Sequence, residues 1–180
     1  TRSSRFSGPP LPLPVSNAAA AVLAAGLVAA TVIDIRSRRI PNVLTATMAG
    51  LGLGLAAAGA SGNTVVASLA GFVLGLVLML PGYSLGATGA GDVKLMAAVG
   101  AIVGPALVLS AFLCTALAGG VLAVVVAIRR KRLAATLAQT GRLVAAPGAA
   151  PQEIRAASAA SRFAYGPAIA VGSMLAVLIA

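Results

Sequence analysis

Histidine is absent from this chain of 180 residues, cysteine occurs once, and the acids number three against 13 basic residues. Each shortage excludes a chemistry. Without histidine and with one thiol, a zinc site of the usual kind cannot be assembled and an HExxH metalloprotease helix is impossible, so no metal and no other cofactor is expected. A single cysteine closes no disulfide within the chain. Cys114, in the middle of "SAFLCTALAGG", reads as a small packing residue. A serine hydrolase lacks its histidine base, and the only well-placed lysine, Lys94, follows an aspartate. Tryptophan is also missing and aromatics are 3% of the chain. The stacking platforms that accompany nucleic-acid binding are therefore lacking, and no nucleic-acid partner is expected despite the net charge of +10.

What the chain does have is apolar surface. It is 59% hydrophobic and 9% charged, with a mean hydropathy of +1.03. A soluble domain of this size cannot hide so much apolar area, because small domains leave a large share of their chain at the surface. Six apolar runs follow one another: Ala18 to Ile35, Val43 to Ala60, Val65 to Tyr83, Val93 to Gly104, Ala106 to Ile128 and Phe163 to Ala180. The expected fold class is therefore all-α, a polytopic integral membrane protein of about six transmembrane helices. The fourth run is short for a crossing of about 20 residues. It is expected to be tilted or partial, or to begin earlier, near Gly86. Residues 1–16, rich in proline and serine, read as a flexible tail ahead of a single transmembrane domain over 17–180. The first run is long for a signal peptide and reads as a retained helix. Residues 129–162 read as a cytoplasmic loop, with interfacial helix near 129–143. The patterns "GFVLG" (71–75) and "GAIVG" (100–104) suggest close helix packing.

The basic residues give a topology. Arg36, Arg38 and Arg39 follow the first run, Lys94 borders the third connection, and seven more lie between Arg129 and Arg162. With six spans these connections share one side, which holds 11 of the 13 basic residues. The positive-inside rule makes that side the cytoplasm, with both termini outside. The run Arg129 to Arg132 is then a determinant of topology and lipid-headgroup contact. Asp34 and Asp92, the only aspartates, both fall near the cytoplasmic face of the bilayer.

A carboxylate at bilayer depth costs on the order of 3 kcal/mol on insertion scales, and such residues usually mark function. Three readings stay open at this point. Asp34 pairs with Arg38, one helical turn on, as an anchor; the two aspartates form a proton or cation site in a small coupled transporter; or they form a catalytic dyad sharing one proton. A non-enzymatic assembly scaffold is a further possibility. If the chain cleaves peptide bonds, elimination leaves an aspartate pair as the only credible machinery.

The contexts of the two acids carry a resemblance. "DIRSRRIPNVLT" (34–45) is similar to the first aspartate motif of the type IV prepilin peptidases. "GAGDVKLMAAVG" (89–100) resembles their second motif, the Gly-x-Gly-Asp signature of this membrane aspartic peptidase family. "FAYGPAIAVG" (163–172) is similar to the opening of their last helix. The resemblance implies an aspartic endopeptidase in a prokaryotic cytoplasmic (inner) membrane, with its active site facing the cytoplasm. Its partners would be the bilayer and a prepilin or pseudopilin precursor, whose leader it removes. Asp34 and Asp92 are then the catalytic pair. Larger members carry a cysteine-bearing soluble domain and methylate the new N-terminus; no such segment occurs in these residues, so the resemblance is to the short form serving Flp/Tad-type pili. A homo-oligomer is left open.

Supporting residues have readings of their own. Gly89 and Gly91 leave room beside Asp92 or merely allow a turn into the helix. Pro41 and Asn42 are expected to be structural, at the start of the second span. Lys94 either biases a carboxylate or snorkels to headgroups. Tyr165, Gly166 and Pro167 are expected to shape the end of the last span.

Overall fold

The structure, a computed structural model, describes residues 15–129 and 165–180. The N-terminal tail up to residue 14, the interfacial helix expected near 129–143 and nearly all of the cytoplasmic loop lie outside the described residues. Among the described residues there are five helices and no strand: α1 (Asn17–Ser37), α2 (Asn42–Ala57), α3 (Val65–Ser84), α4 (Ala90–Arg129) and α5 (Gly166–Ile179).

Local chemistry sets several of these boundaries. The Ser16 hydroxyl accepts the Ala19 N–H at 3.2 Å, and Thr64 accepts that of Ala67 at 3.1 Å, so α1 and α3 each begin on a hydroxyl cap. At the other end of α1, Arg38 turns left-handed (φ 53°) and its N–H closes on the Asp34 carbonyl at 2.8 Å.

The fourth and fifth of the six expected helices are not separated by a loop. The fourth and fifth runs are joined in α4, and the break between them is confined to Gly104 (φ 82°, ψ 176°), followed by Pro105. No loop is needed, because glycine adopts a backbone closed to other residues and proline forces the interruption. The carbonyls that the break orphans are collected by neighbours. The Ser68 hydroxyl donates to Ala101 O, the acceptor that Pro105 has no N–H to reach. The side chain of Asn63 donates to Ile102 O at 3.2 Å. Buried as these carbonyls are, they need such partners, because an unpaired backbone polar group inside protein is costly.

Packing shows that α4 folds back on itself at this break. Its first arm, Ala90 to Gly104, runs antiparallel to α3: Gly71 abuts Gly100 backbone to backbone, and Gly75 lies against Met96. The two GxxxG patterns thus face each other, and a methyl group on Gly71 or Gly100 would collide with main chain. The second arm returns toward the start of α4, where Gly119 meets Tyr165 at the head of α5. From Val93 to Gly104 the first arm is buried on every side except at Lys94, which makes it the central helix. It also begins at Ala90, earlier than the apolar run, so Asp92 falls in its first turn.

Around this centre, Leu23, Leu27, Val108 and Ile169 turn inward from α1, the second arm and α5. Large apolar residues such as Val28, Val66, Val73, Leu113 and Leu117 point outward and are exposed. That inside-out arrangement suits lipid rather than water. By length and hydropathy α1, α3 and the Ala90–Val125 stretch of α4 are each able to cross a membrane, whereas α2 and α5 are shorter apolar helices. This is a helical membrane protein.

Candidate active site

The inward stripe of α1 runs Ala19, Leu23, Gly26 and Leu27, Ala30, and then Asp34. The spacing is that of one helix face, so the carboxylate ends a row of core residues and is itself only 5% exposed. Its Oδ2 accepts the N–H of Gly166, 132 residues away, at 2.9 Å. That N–H is the first of α5, and Pro167 behind it supplies none. Asp34 therefore caps a foreign helix. The approach is close: a Cβ on Gly166 would stand 2.8 Å from Asp34 Oδ2. The helical-turn ion pair with Arg38 does not form among the described residues; Arg36, Arg38 and Arg39 are all exposed, while Asp34 points inward. The cause is helix geometry, since Arg38 has left the α conformation that would bring it over Asp34.

Asp92 lies on the first turn of α4, 8% exposed. Its Oδ2 accepts the Gly89 N–H at 2.9 Å. This is the backward half of a capping box, in which a side chain in the first turn satisfies an otherwise orphaned donor. Both carboxylates thus hold one backbone N–H, and they lie at the same end of the bundle, since Gly91 beside Asp92 abuts Ile40 in the connection that follows Asp34's helix.

The three sequence motifs meet here. Gly91 has Ile40 against it, at 3.1 Å from a notional Cβ, so the absence of a side chain lets the Ile-Pro-Asn segment dock on the head of α4. The Lys94 Nζ donates to Asn42 Oδ1 at 2.8 Å, tying α2 to α4. Pro41 is the N-cap residue of α2, and its carbonyl accepts the N–H of Leu44 at 3.1 Å. Gly89 is exposed and stands beside Asp92 Oδ2, at 3.3 Å from a notional Cβ. Tyr165 precedes Gly166 at the N-cap of α5 and is half-buried. Sequence reasoning did not single out Ile40 or Gly119. The first is hidden in a short connection, and the second is one glycine among 21.

These features define a helical membrane protein with two buried carboxylates at one end of its bundle. The profile of the type IV leader peptidase family matches residues 21–124, a stretch that contains both aspartates. The chain belongs to that family, and it is accordingly a protease of the leader peptidase type. Comparison with curated proteins and with solved structures gives no significant match.

Proposed function

We propose that this protein is an aspartic endopeptidase of the prokaryotic cytoplasmic membrane that removes the leader of type IV pilin-like precursors, those of Flp/Tad-type pili in particular. Asp34 and Asp92 are its catalytic pair. The observation that carries the reading is the convergence of two buried carboxylates, from helices far apart in sequence, at one end of a membrane bundle.

The chemistry needs nothing beyond these two groups and water. One carboxylate takes a proton from water as its oxygen adds to the scissile carbonyl carbon, while the protonated partner gives its proton to the carbonyl oxygen. The resulting gem-diol collapses. One of its hydroxyl protons returns to the second aspartate, the first aspartate delivers its proton to the departing amine, and the C–N bond breaks. The peptide is hydrolysed and both acids regain their starting states. Positioned proton transfer of this kind contributes about 10²–10⁴-fold. The backbone N–H groups of Gly166 and Gly89 fix one oxygen of each carboxylate, which limits the orientations the pair must search.

With the fold-back at Gly104 counted as a turn, the chain makes six passes. Arg36, Arg38, Arg39 and Lys94, all exposed at the aspartate end, support a cytoplasmic active site. Leaders of the precursors that this family cuts tend to be basic, so that collar of charge repels them and docking rests on the apolar helix of the precursor against the membrane-embedded bundle. Neutralising leader lysines and arginines is expected to slow processing no more than about threefold, a change of under 1 kcal/mol; near-total loss would refute hydrophobic docking.

A second reading, that Asp92 is needed only for folding, has one observation behind it: the carboxylate caps its own helix. Asparagine separates the two, because its amide oxygen still accepts the Gly89 N–H. Co-expression with a pilin-like precursor, read as a mobility shift, is expected to show cleavage by the unaltered chain. Asp34→Asn and Asp92→Asn should show none while still inserting. Substantial cleavage by either variant would remove the dyad.

A further inference from the structure

Gly119 and Gly120 are neighbours in the second arm of α4, yet they have opposite surroundings. Gly120 is exposed, with nothing within 4 Å of the position of an added Cβ. Gly119 is buried, and a Cβ there would stand 2.8 Å from both Cε2 and the hydroxyl of Tyr165 and 3.0 Å from its Cζ. The tip of the phenol ring therefore rests on bare main chain.

Tyr165 is the residue on which α5 starts. Its carbonyl accepts the N–H of Ala168 at 3.0 Å and of Ile169 at 3.1 Å, so moving the residue moves the first turn. The next N–H along the chain is the one Gly166 gives to Asp34 at 2.9 Å. There is no slack beyond it, since a notional Cβ on Gly166 already lies 2.8 Å from Asp34 Oδ2. Deeper in the same interface Gly172 abuts the Thr115 backbone, which prevents α5 from sliding to relieve a push at its head. A displacement of the Tyr165 ring is transmitted to Asp34.

We propose that Gly119 is the seat of Tyr165, and that the two together are a positioning device that holds the head of α5, and through the Gly166 N–H the Asp34 carboxylate, in register for catalysis. Neither residue is a catalytic residue in this assignment. It rests on the dyad reading above. This chain of contacts leads from a glycine distant along the chain from both acids to one of them.

The test uses the full chain in proteoliposomes with a pilin-like precursor, reading kcat and KM separately, with melting in detergent micelles as an independent measure. Gly119→Ala is expected to lower kcat between about tenfold and 100-fold, as misplacement by an ångström or less can do. KM should stay within about twofold, because precursor docking is untouched. Gly120→Ala is expected to match the unaltered protein. Combining Gly119→Ala with Tyr165→Leu, which withdraws the ring tip, is expected to erase the added cost of the alanine relative to Tyr165→Leu alone. The same non-additivity should appear in Tm.

Equal losses for Gly119→Ala and Gly120→Ala, or an undiminished alanine cost in the Tyr165→Leu background, would overturn the assignment. So would coupling that appears in Tm but not in kcat, which would make the contact merely structural. Should Gly119→Ala fail to insert, Tyr165→Leu alone decides: it is expected to lower kcat with KM retained, and an unchanged kcat would overturn the seat. Failure of the unaltered protein to cut any precursor would instead bring down the peptidase reading itself, and the seat with it.

Discussion

Asp34 and Asp92 do the same local thing in different ways. Each is buried, each sits at the end of an apolar helix face, and each accepts one backbone N–H at 2.9 Å. Asp92 takes its N–H from three residues back, at the head of its own helix. Asp34 takes it from a helix whose first residue is 132 positions away. The first bond forms whenever α4 forms. The second exists only when α1, α4 and α5 are all assembled. One half of the site is therefore as stable as a helix end, while the other is as stable as the packing of three helices, which in lipid depends on close backbone approach rather than on expulsion of water.

Substitutions can break this comparison in graded steps. The largest effects should come from the acids themselves. Asp34→Asn and Asp92→Asn are each expected to lower cleavage by at least about 10³-fold, with membrane insertion unchanged, measured as turnover of a pilin-like precursor. A large residual rate for one of them would show that the two are not equivalent partners. Next comes Gly166→Ala, where the methyl would lie 2.8 Å from Asp34 Oδ2 and 3.1 Å from its Cβ. Because α5 is pinned, the carboxylate must give way, and a loss of about tenfold or more is expected, in the range that misplacement produces.

Gly89→Ala is the matched change at Asp92, where the methyl stands 3.3 Å from Oδ2. Gly89 itself lies on an exposed turn that can shift by the few tenths of an ångström needed, so a loss of no more than about threefold, under 1 kcal/mol, is expected. If Gly89→Ala proves the more damaging of the two, the contrast between a local and a tertiary cap is wrong. The smallest effect should come from Lys94→Met, which keeps the stem and removes the donor to Asn42. An exposed hydrogen bond contributes about 0.5–1.5 kcal/mol, so a modest fall in Tm is expected with cleavage reduced no more than severalfold. The same fall should appear for Asn42→Ala and should not add to it.

How much of this was legible beforehand follows from the same contrast. The stripe that carries Asp34 inward is not visible in "NAAAAVLAAGLVAATVID", which is apolar on every face, whereas the charge distribution leads to the expectation that both acids lie at one membrane face. The first turn of α4 can be read from Gly-x-Gly-Asp, because a carboxylate three residues after a glycine reaches back to its N–H. The fold-back is half legible. Gly104-Pro105 marks the interruption between the fourth and fifth runs, but not that the chain reverses there without a loop, nor that Ser68 and Asn63 take up the carbonyls it frees. The tie from Lys94 to Asn42 was not legible, because its acceptor lies 52 residues away.

Glycine is where local reading stops. The chain has 21 glycines, and nothing nearby distinguishes Gly119, on which a tyrosine rests, from Gly120, which faces open space. The amino-acid string was enough for the membrane class, the acids available for chemistry and the exclusion of histidine- and zinc-based mechanisms, because those depend on composition and on the lengths of apolar runs. It took the assembled bundle to decide which glycines are seats, whose N–H each aspartate holds, and that the three motifs share one corner. Those relations are contacts between backbones distant along the chain, and a glycine records the need for such a contact without recording its partner.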